Sequence, residues 1–172
     1  MMKSKLSKAD TNAGFTLIEV LVTLVILGVG LLGMAGMQMT GLQSNQGAYL
    51  RSQANFIATD VADRLRANSS ELDEYDGFTV DIEAVVLPTS QDCETAMVSC
   101  NLDEVADYDM FRWNAMVSDL LPPVIDVDGD NELVINITAA ADGKSSEANI
   151  LIRWTSMGET VELPMVIHIW TI

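Results

Sequence analysis

An α+β fold is predicted by three features of this 172-residue chain. An apolar run near the N-terminus passes into an amphipathic helical pattern, a short capped helix follows near residue 101, and alternating strands joined by short turns fill the C-terminal third. With 49% hydrophobic residues, a chain of this length can bury one core. The expected organisation is a leader over residues 1–14, a long helix over 15–68 with 15–37 in a membrane, and a globular α+β head over 69–172.

The helix comes first. Val20 to Met37 holds no charged residue, and these 18 positions approach the ~20 that a bilayer-spanning helix needs. Extending the span back to Phe15 includes Glu19, a carboxylate that costs roughly 2.5–3.5 kcal/mol at the centre of a membrane helix and less near its end. Lys3, Lys5 and Lys8 precede the span, and the next positive side chain is Arg51. That asymmetry keeps the leader in the cytoplasm and exports the rest. An ordinary secretory signal has a shorter apolar region, with the cleavage site after it rather than before.

Gly28, Gly30 and Gly33 spell G-x-G-x-x-G, but a dinucleotide fingerprint needs a preceding strand and a βαβ unit, and this one lies inside a membrane helix. Glycines here let helices approach closely or let the helix loosen. Beyond the membrane, Leu42, Tyr49 and Phe56 recur every seven residues. With Ile57, Val61 and Leu65 they predict an apolar stripe facing the head, on a helix roughly 80 Å long in all. Asn68-Ser69-Ser70 ends the pattern.

In the head, Phe78, Val80, Ile82 and Ala84 alternate with polar residues and predict a half-buried strand. Asn101 and Glu104 have the spacing of a capping box, and Asp103, Glu104, Asp107 and Asp109 favour a helix N-terminus. Ala106, Met110, Trp113, Val117 and Leu120 then form one apolar face, and Pro122-Pro123 stops the helix. Strands near 132–139, 147–156 and 160–170, with short turns between them, predict an antiparallel meander. Trp113, Trp154 and Trp170 read as core.

Charge and motif content narrow the function. A net charge of −16 repels phosphate backbones, which argues against an electrostatic nucleic-acid binder. No Gly-x-Ser-x-Gly or His-Glu-x-x-His is present, and the single histidine, His168, reads as a sheet-face residue. The chain is expected not to be an enzyme.

Gly14-Phe15-Thr16-Leu17-Ile18-Glu19, behind a short basic leader and ahead of an apolar helix, resembles the processing motif of type IV prepilins and type II secretion pseudopilins. The resemblance implies the type IV pilin fold. It also implies cleavage after Gly14 by a membrane-embedded prepilin peptidase, N-methylation of Phe15, and a role for Glu19 in subunit assembly. Cleavage would create an ammonium at Phe15, and Glu19 could pair with the corresponding amine of a neighbouring subunit. Burying both charges is tolerable when they pair.

Cys93 and Cys100 lie outside the cytoplasm on this topology, where a disulfide between them is expected. Asp126, Asp128 and Asp130 match the first half of an EF-hand loop, but Ile137 stands where the bidentate Glu should be. A solvated acidic turn is the plainer reading, calcium bound with further ligands the other, and no other cofactor is expected. Asn68-Ser-Ser and Asn136-Ile-Thr fit a glycosylation sequon by chance.

Within the family, Gly28 to Gln38, Asp60 to Asn68, and Asp107 to Trp113 followed by Leu121-Pro122 resemble segments of PilV-type minor pilins. The likeness covers most of the first 122 residues. It implies a low-abundance subunit of the bacterial inner membrane, single-pass with a periplasmic head, that primes pilus assembly and reaches the surface pilus. Its implied partners are prepilin peptidase, other minor pilins, the major pilin, the assembly platform and membrane lipid. A minor pseudopilin of type II secretion and a tip adhesin or ligand-binding subunit are the alternatives.

Overall fold

The computed structural model describes residues 14–81, 93, 99–124, 132–141 and 143–170. These fall into two compact units, one ending at Leu42 and one beginning at Gln43. The expected strand continuation through Ile82 and Ala84 lies outside the described residues.

The first unit is the apolar half of helix α1, Leu17–Ala67. It carries a stretch long and apolar enough to cross a membrane, and none of that stretch is buried within the protein. Leu17, Leu21, Leu24 and Leu32 are all exposed, as a helix greasy on every face must be when lipid is its solvent. Thr23 and Thr40 donate their hydroxyls to the carbonyls of Glu19 and Gly36, which satisfies two polar groups without water.

In the second unit the other half of α1 packs on a four-stranded antiparallel sheet. Strand order is β1 (Thr79–Val80), β2 (Leu133–Ala139), β3 (Ser145–Ser156), β4 (Glu159–Trp170), a meander as expected. Register follows the period of two: Ile135 lies opposite Ile150, and Ala148 opposite Ile167, so one sheet face is predominantly apolar, with Ser146 its buried polar member. Against it α1 sets Leu50, Ala54, Ile57, Ala58, Val61, Ala62 and Leu65. All seven are buried in one core with the sheet, three alanines interspersed among the larger residues.

Here the stripe read from the sequence needs correction. Leu42, Tyr49 and Phe56 are 66%, 58% and 59% exposed, so they face away from the core. Each of Tyr49 and Phe56 is one residue, or 100°, from a buried neighbour, Leu50 or Ile57. A repeat of seven fits either face, and small residues, invisible to a count of large ones, decided between them.

Helix α2, Leu102–Leu120, begins at the expected capping box: the Asn101 side chain accepts from the Glu104 N–H at 2.8 Å, and the Glu104 carboxylate accepts from the Asn101 N–H at 2.9 Å. It buries Ala106, Trp113 and Val117. A 3-10 turn, Leu72–Tyr75, joins α1 to β1, and buries Leu72 and Tyr75. Gly77 follows with φ 75°, a conformation that lets its N–H reach the Ile135 carbonyl at 3.0 Å and start the sheet. The β3–β4 hairpin turns on Met157 and Gly158, both at positive φ, the geometry of a two-residue turn matched to strand twist.

Two of the three tryptophans are core, as expected. Trp170 is not: it is 69% exposed, because its position on β4 places it on the face opposite Ile167 and Ile169.

Cys93 and Cys100 are joined by a disulfide directly before the cap of α2, and the Cys93 sulfur also approaches the Glu104 carbonyl. On the chain-entropy account, closing so short a loop contributes about 2.5 kcal/mol. The Cys93→Ala/Cys100→Ala double variant should lose about that much in denaturant unfolding while α2 keeps its helicity by circular dichroism. Loss below about 0.5 kcal/mol would assign the bond no stabilising role.

Candidate functional site

Two groups of side chains stand out, one at the start of α1 and one in the head. At the start, Gly14 and Phe15 precede the helix and are exposed, Phe15 at 83%. Thr16 closes the first turn: its carbonyl accepts from the N–H groups of Glu19 and Val20, and its hydroxyl oxygen also accepts from Glu19 at 3.4 Å. The Gly14–Phe15 peptide bond therefore lies outside the helical hydrogen-bond ladder, in backbone that a peptidase can reach.

Glu19 occupies the first turn, where the helix dipole favours a negative charge. Its carboxylate has no hydrogen-bonding or ionic partner among the described residues. Phe15 and Glu19 border one surface groove with Val20, Thr23 and Leu24, so the Phe15 residue and the Glu19 carboxylate share a face.

The second group is a polar network buried among apolar side chains. Asp60 and Arg64 on α1, and Asn68 directly after its end, recur every four residues and meet α2 and the 3-10 turn. Asp60 accepts from the Arg64 Nε and from the Trp113 indole N–H, both at 3.0 Å. Arg64 donates onward to Asp109, and Tyr75 donates to the second Asp109 oxygen at 3.0 Å. Asn68 donates to the Tyr75 oxygen at 3.0 Å and to the Leu102 carbonyl at 2.9 Å. Asn68 is 3% exposed, a poor acceptor for a glycan.

Electrostatics follow from burial and pairing. Burial pushes the Asp109 carboxyl above the usual carboxylate range, and the bonds from Arg64 and Tyr75 only partly offset it. Burial alone would lower Arg64, but Asp109 and Asp60 hold it above its ordinary value. Burial pushes the Tyr75 hydroxyl up, with the Asp109 charge adding to it against the Asn68 bond.

A carboxyl raised on folding stabilises the fold most below its unfolded pKa of about 3.9, and that stabilisation is lost as pH rises through the folded value. The stability difference between the protein and its Asp109→Asn variant should therefore shift in favour of aspartate as pH falls towards about 4. Denaturant unfolding at a series of pH values measures it, and a shift in the opposite direction would refute the assignment.

Residues 10–35 match the family described as the prokaryotic N-terminal methylation motif, and residues 36–111 match type IV pilin Tt1218. Over these segments the chain is similar to type IV pilins. The methylation motif implies prepilin peptidase processing and a pilus-assembly context for it. Comparison with curated proteins and with solved structures returned no match.

Gly14, Phe15 and Glu19 fall in the first matched segment, and Asp60, Arg64, Asn68, Tyr75 and Asp109 in the second, with Trp113 just beyond it. The pilin family is structural, and the apolar helix suits a membrane anchor. Asp126, Asp128 and Asp130 lie outside the described residues. Among the described residues no cluster of three or more metal-ligating side chains occurs. His168 sits exposed on β4, opposite Glu147 of β3.

The network's charged core went unread in the sequence, although its signal was there. Asp60, Arg64 and Asn68 lie at i, i+4 and i+8, a polar line beside the apolar one, and such a line on a core-facing helix calls for buried partners.

Proposed function

We propose that this chain is a minor subunit of the type IV pilus, of the PilV type, held in the inner membrane with its head in the periplasm. Prepilin peptidase cuts after Gly14, and Phe15 becomes the N-methylated first residue. The mature chain joins other minor pilins in a complex that primes assembly on the membrane platform. It needs no cofactor.

The observation that carries this reading is the placing of Phe15 and Glu19 around one groove at the exposed start of α1. An amine generated at Phe15 and the unpartnered carboxylate of Glu19 are complementary charges presented by every copy. Between subunits each can neutralise its neighbour's, and a lipid environment makes that pairing necessary. The minor-subunit assignment draws on the Gly28–Gln38, Asp60–Asn68 and Asp107–Trp113 segments.

Deleting the gene and scoring surface pili together with exoprotein secretion tests the proposal. Loss of pili alone supports it. Loss of secretion with pili intact assigns the chain to a type II secretion pseudopilus, and normal piliation with lost adhesion assigns it to a tip adhesin.

A further inference from the structure

Strand β4 is the long edge of the sheet: it pairs with β3 on one side, and among the described residues no strand pairs with it on the other. The opposite edge is β1, two residues long and too short to template a further strand. The turn at Met157 and Gly158 closes on Ser156 and Glu159, and a two-residue turn of this kind makes that pair a hydrogen-bonded one. Counting by twos from Glu159, Val161, Leu163, Met165, Ile167 and Ile169 turn their backbone groups to β3. Glu162, Pro164, Val166, His168 and Trp170 turn theirs to the outer edge, and all five are exposed. Pro164 fits this phase, since it has no N–H to give to β3.

The two halves of this edge differ. Glu159, Glu162 and Pro164 blunt the first half, with the charges and proline by which natural edges avoid pairing. Residues 165–170 contain neither a charged residue nor a proline, and Val166 and Trp170 are 54% and 69% exposed. An open row of backbone donors and acceptors flanked by exposed valine and tryptophan is a surface onto which another strand adds.

The sequence of that half says which strand. Val166-Ile167-His168-Ile169-Trp170 reads nearly alike in both directions about His168. Antiparallel pairing with itself sets Ile167 against Ile169 on the buried face, and on the exposed face Val166 against Trp170, an aromatic–β-branched pair on each side of the centre. Pro164 fixes the register. Centred on His168, about six backbone bonds form between Val166, His168 and Trp170 of the two copies, whereas a pairing moved towards Glu162 needs the N–H that Pro164 lacks.

A chain of charge −16 repels its own copy unless the contact keeps carboxylates apart. About this centre the two Glu162 stand roughly 40 Å from each other, at ~3.4 Å per residue. The two Glu147, each opposite its own His168, are separated by three strand spacings, about 14 Å, with both imidazoles between them. Both separations exceed the Debye length of about 8 Å.

We propose that the 166–170 edge of β4 pairs with the same edge of a second copy of this chain about a two-fold axis at His168, joining two four-stranded sheets into one. A contact along one strand edge belongs to the weak, transient class of interfaces, so it is measured over a concentration series.

Sedimentation equilibrium of the full chain in detergent micelles should show a monomer–dimer equilibrium, and His168→Pro should weaken it at least tenfold. β3 does not use that N–H, so the proline should leave the circular dichroism spectrum and thermal midpoint near those of the parent. His168→Cys should give a disulfide-linked dimer on mild oxidation, because bonded antiparallel partners have Cα atoms about 5.5 Å apart, and Asn136→Cys, exposed on β2, should not. A monomer at every concentration, dimers unaffected by His168→Pro, or equal cross-linking of the two cysteine variants would overturn the pairing. Amides of residues 166–170 that gain hydrogen-exchange protection only when other pilus subunits are added would assign the edge to a different strand and overturn it too. The pairing requires neither processing nor pilus assembly, so its failure leaves the assembly role standing.

Discussion

Trp113→Ala is expected to destabilise the head by about 3–5 kcal/mol, the range for truncating a buried aromatic. Trp113 is fully buried, its ring centroid lies 5.6 Å from Tyr75 and 6.1 Å from Phe78, and its indole N–H holds Asp60 at 3.0 Å. Removing it opens a cavity where α2, the 3-10 turn and α1 meet, and takes one of two donors from a half-buried carboxylate. Since whole domains are stable by only about 5–15 kcal/mol, such a loss should also lower the amount of protein that accumulates. Trp113→Phe keeps most of the ring volume and leaves Asp60 bound to Arg64, so it should cost about 1–2 kcal/mol. Denaturant unfolding of both variants measures the difference. A loss under 1 kcal/mol for alanine would mean that the network and not the ring carries the joint.

Glu19→Ala should leave the protein in the membrane and cleaved, yet reduce its entry into pili roughly a hundredfold or more. The reasoning is that removing one member of a buried ion pair costs about 3–5 kcal/mol, and each 1.4 kcal/mol is a factor of about ten. In the bilayer the sign reverses, because alanine in a membrane helix is less costly than glutamate. Improved or unchanged membrane retention with failed assembly therefore separates pairing from general instability. Comparing the variant in sheared pili and in membranes by immunoblot gives the ratio, and entry at the wild-type level would refute the pairing.

Much of the architecture was legible because it rests on local rules. Charge-free length marks a membrane helix, the Asn101–Glu104 spacing marks a cap, and alternation with a Met-Gly turn marks a hairpin. What misled was a pattern that two helix faces could satisfy. Leu42, Tyr49 and Phe56 repeat as a core stripe would, yet the face that is buried is the one carrying Ala54, Ala58 and Ala62 with Leu50, Ile57, Val61 and Leu65. Trp170 was misplaced for a related reason: aromatic size argues for burial, but position on a strand sets the face, and Trp170 falls on the solvent side.

The functional residues divide along the same line. Gly14, Phe15 and Glu19 lie within six consecutive positions, so their proposed roles could be read from local order alone. Asp109 and Trp113 are 45 and 53 residues from their partners Arg64 and Asp60.

The sequence by itself determined the long apolar helix, the cap of α2 and the alternation of the strands, because each depends on residues within a turn or two of one another. Tertiary structure alone decided which face of α1 is core and which carboxylates meet Arg64. Those outcomes depend on desolvation and close packing between distant segments, and neither exists until the segments meet.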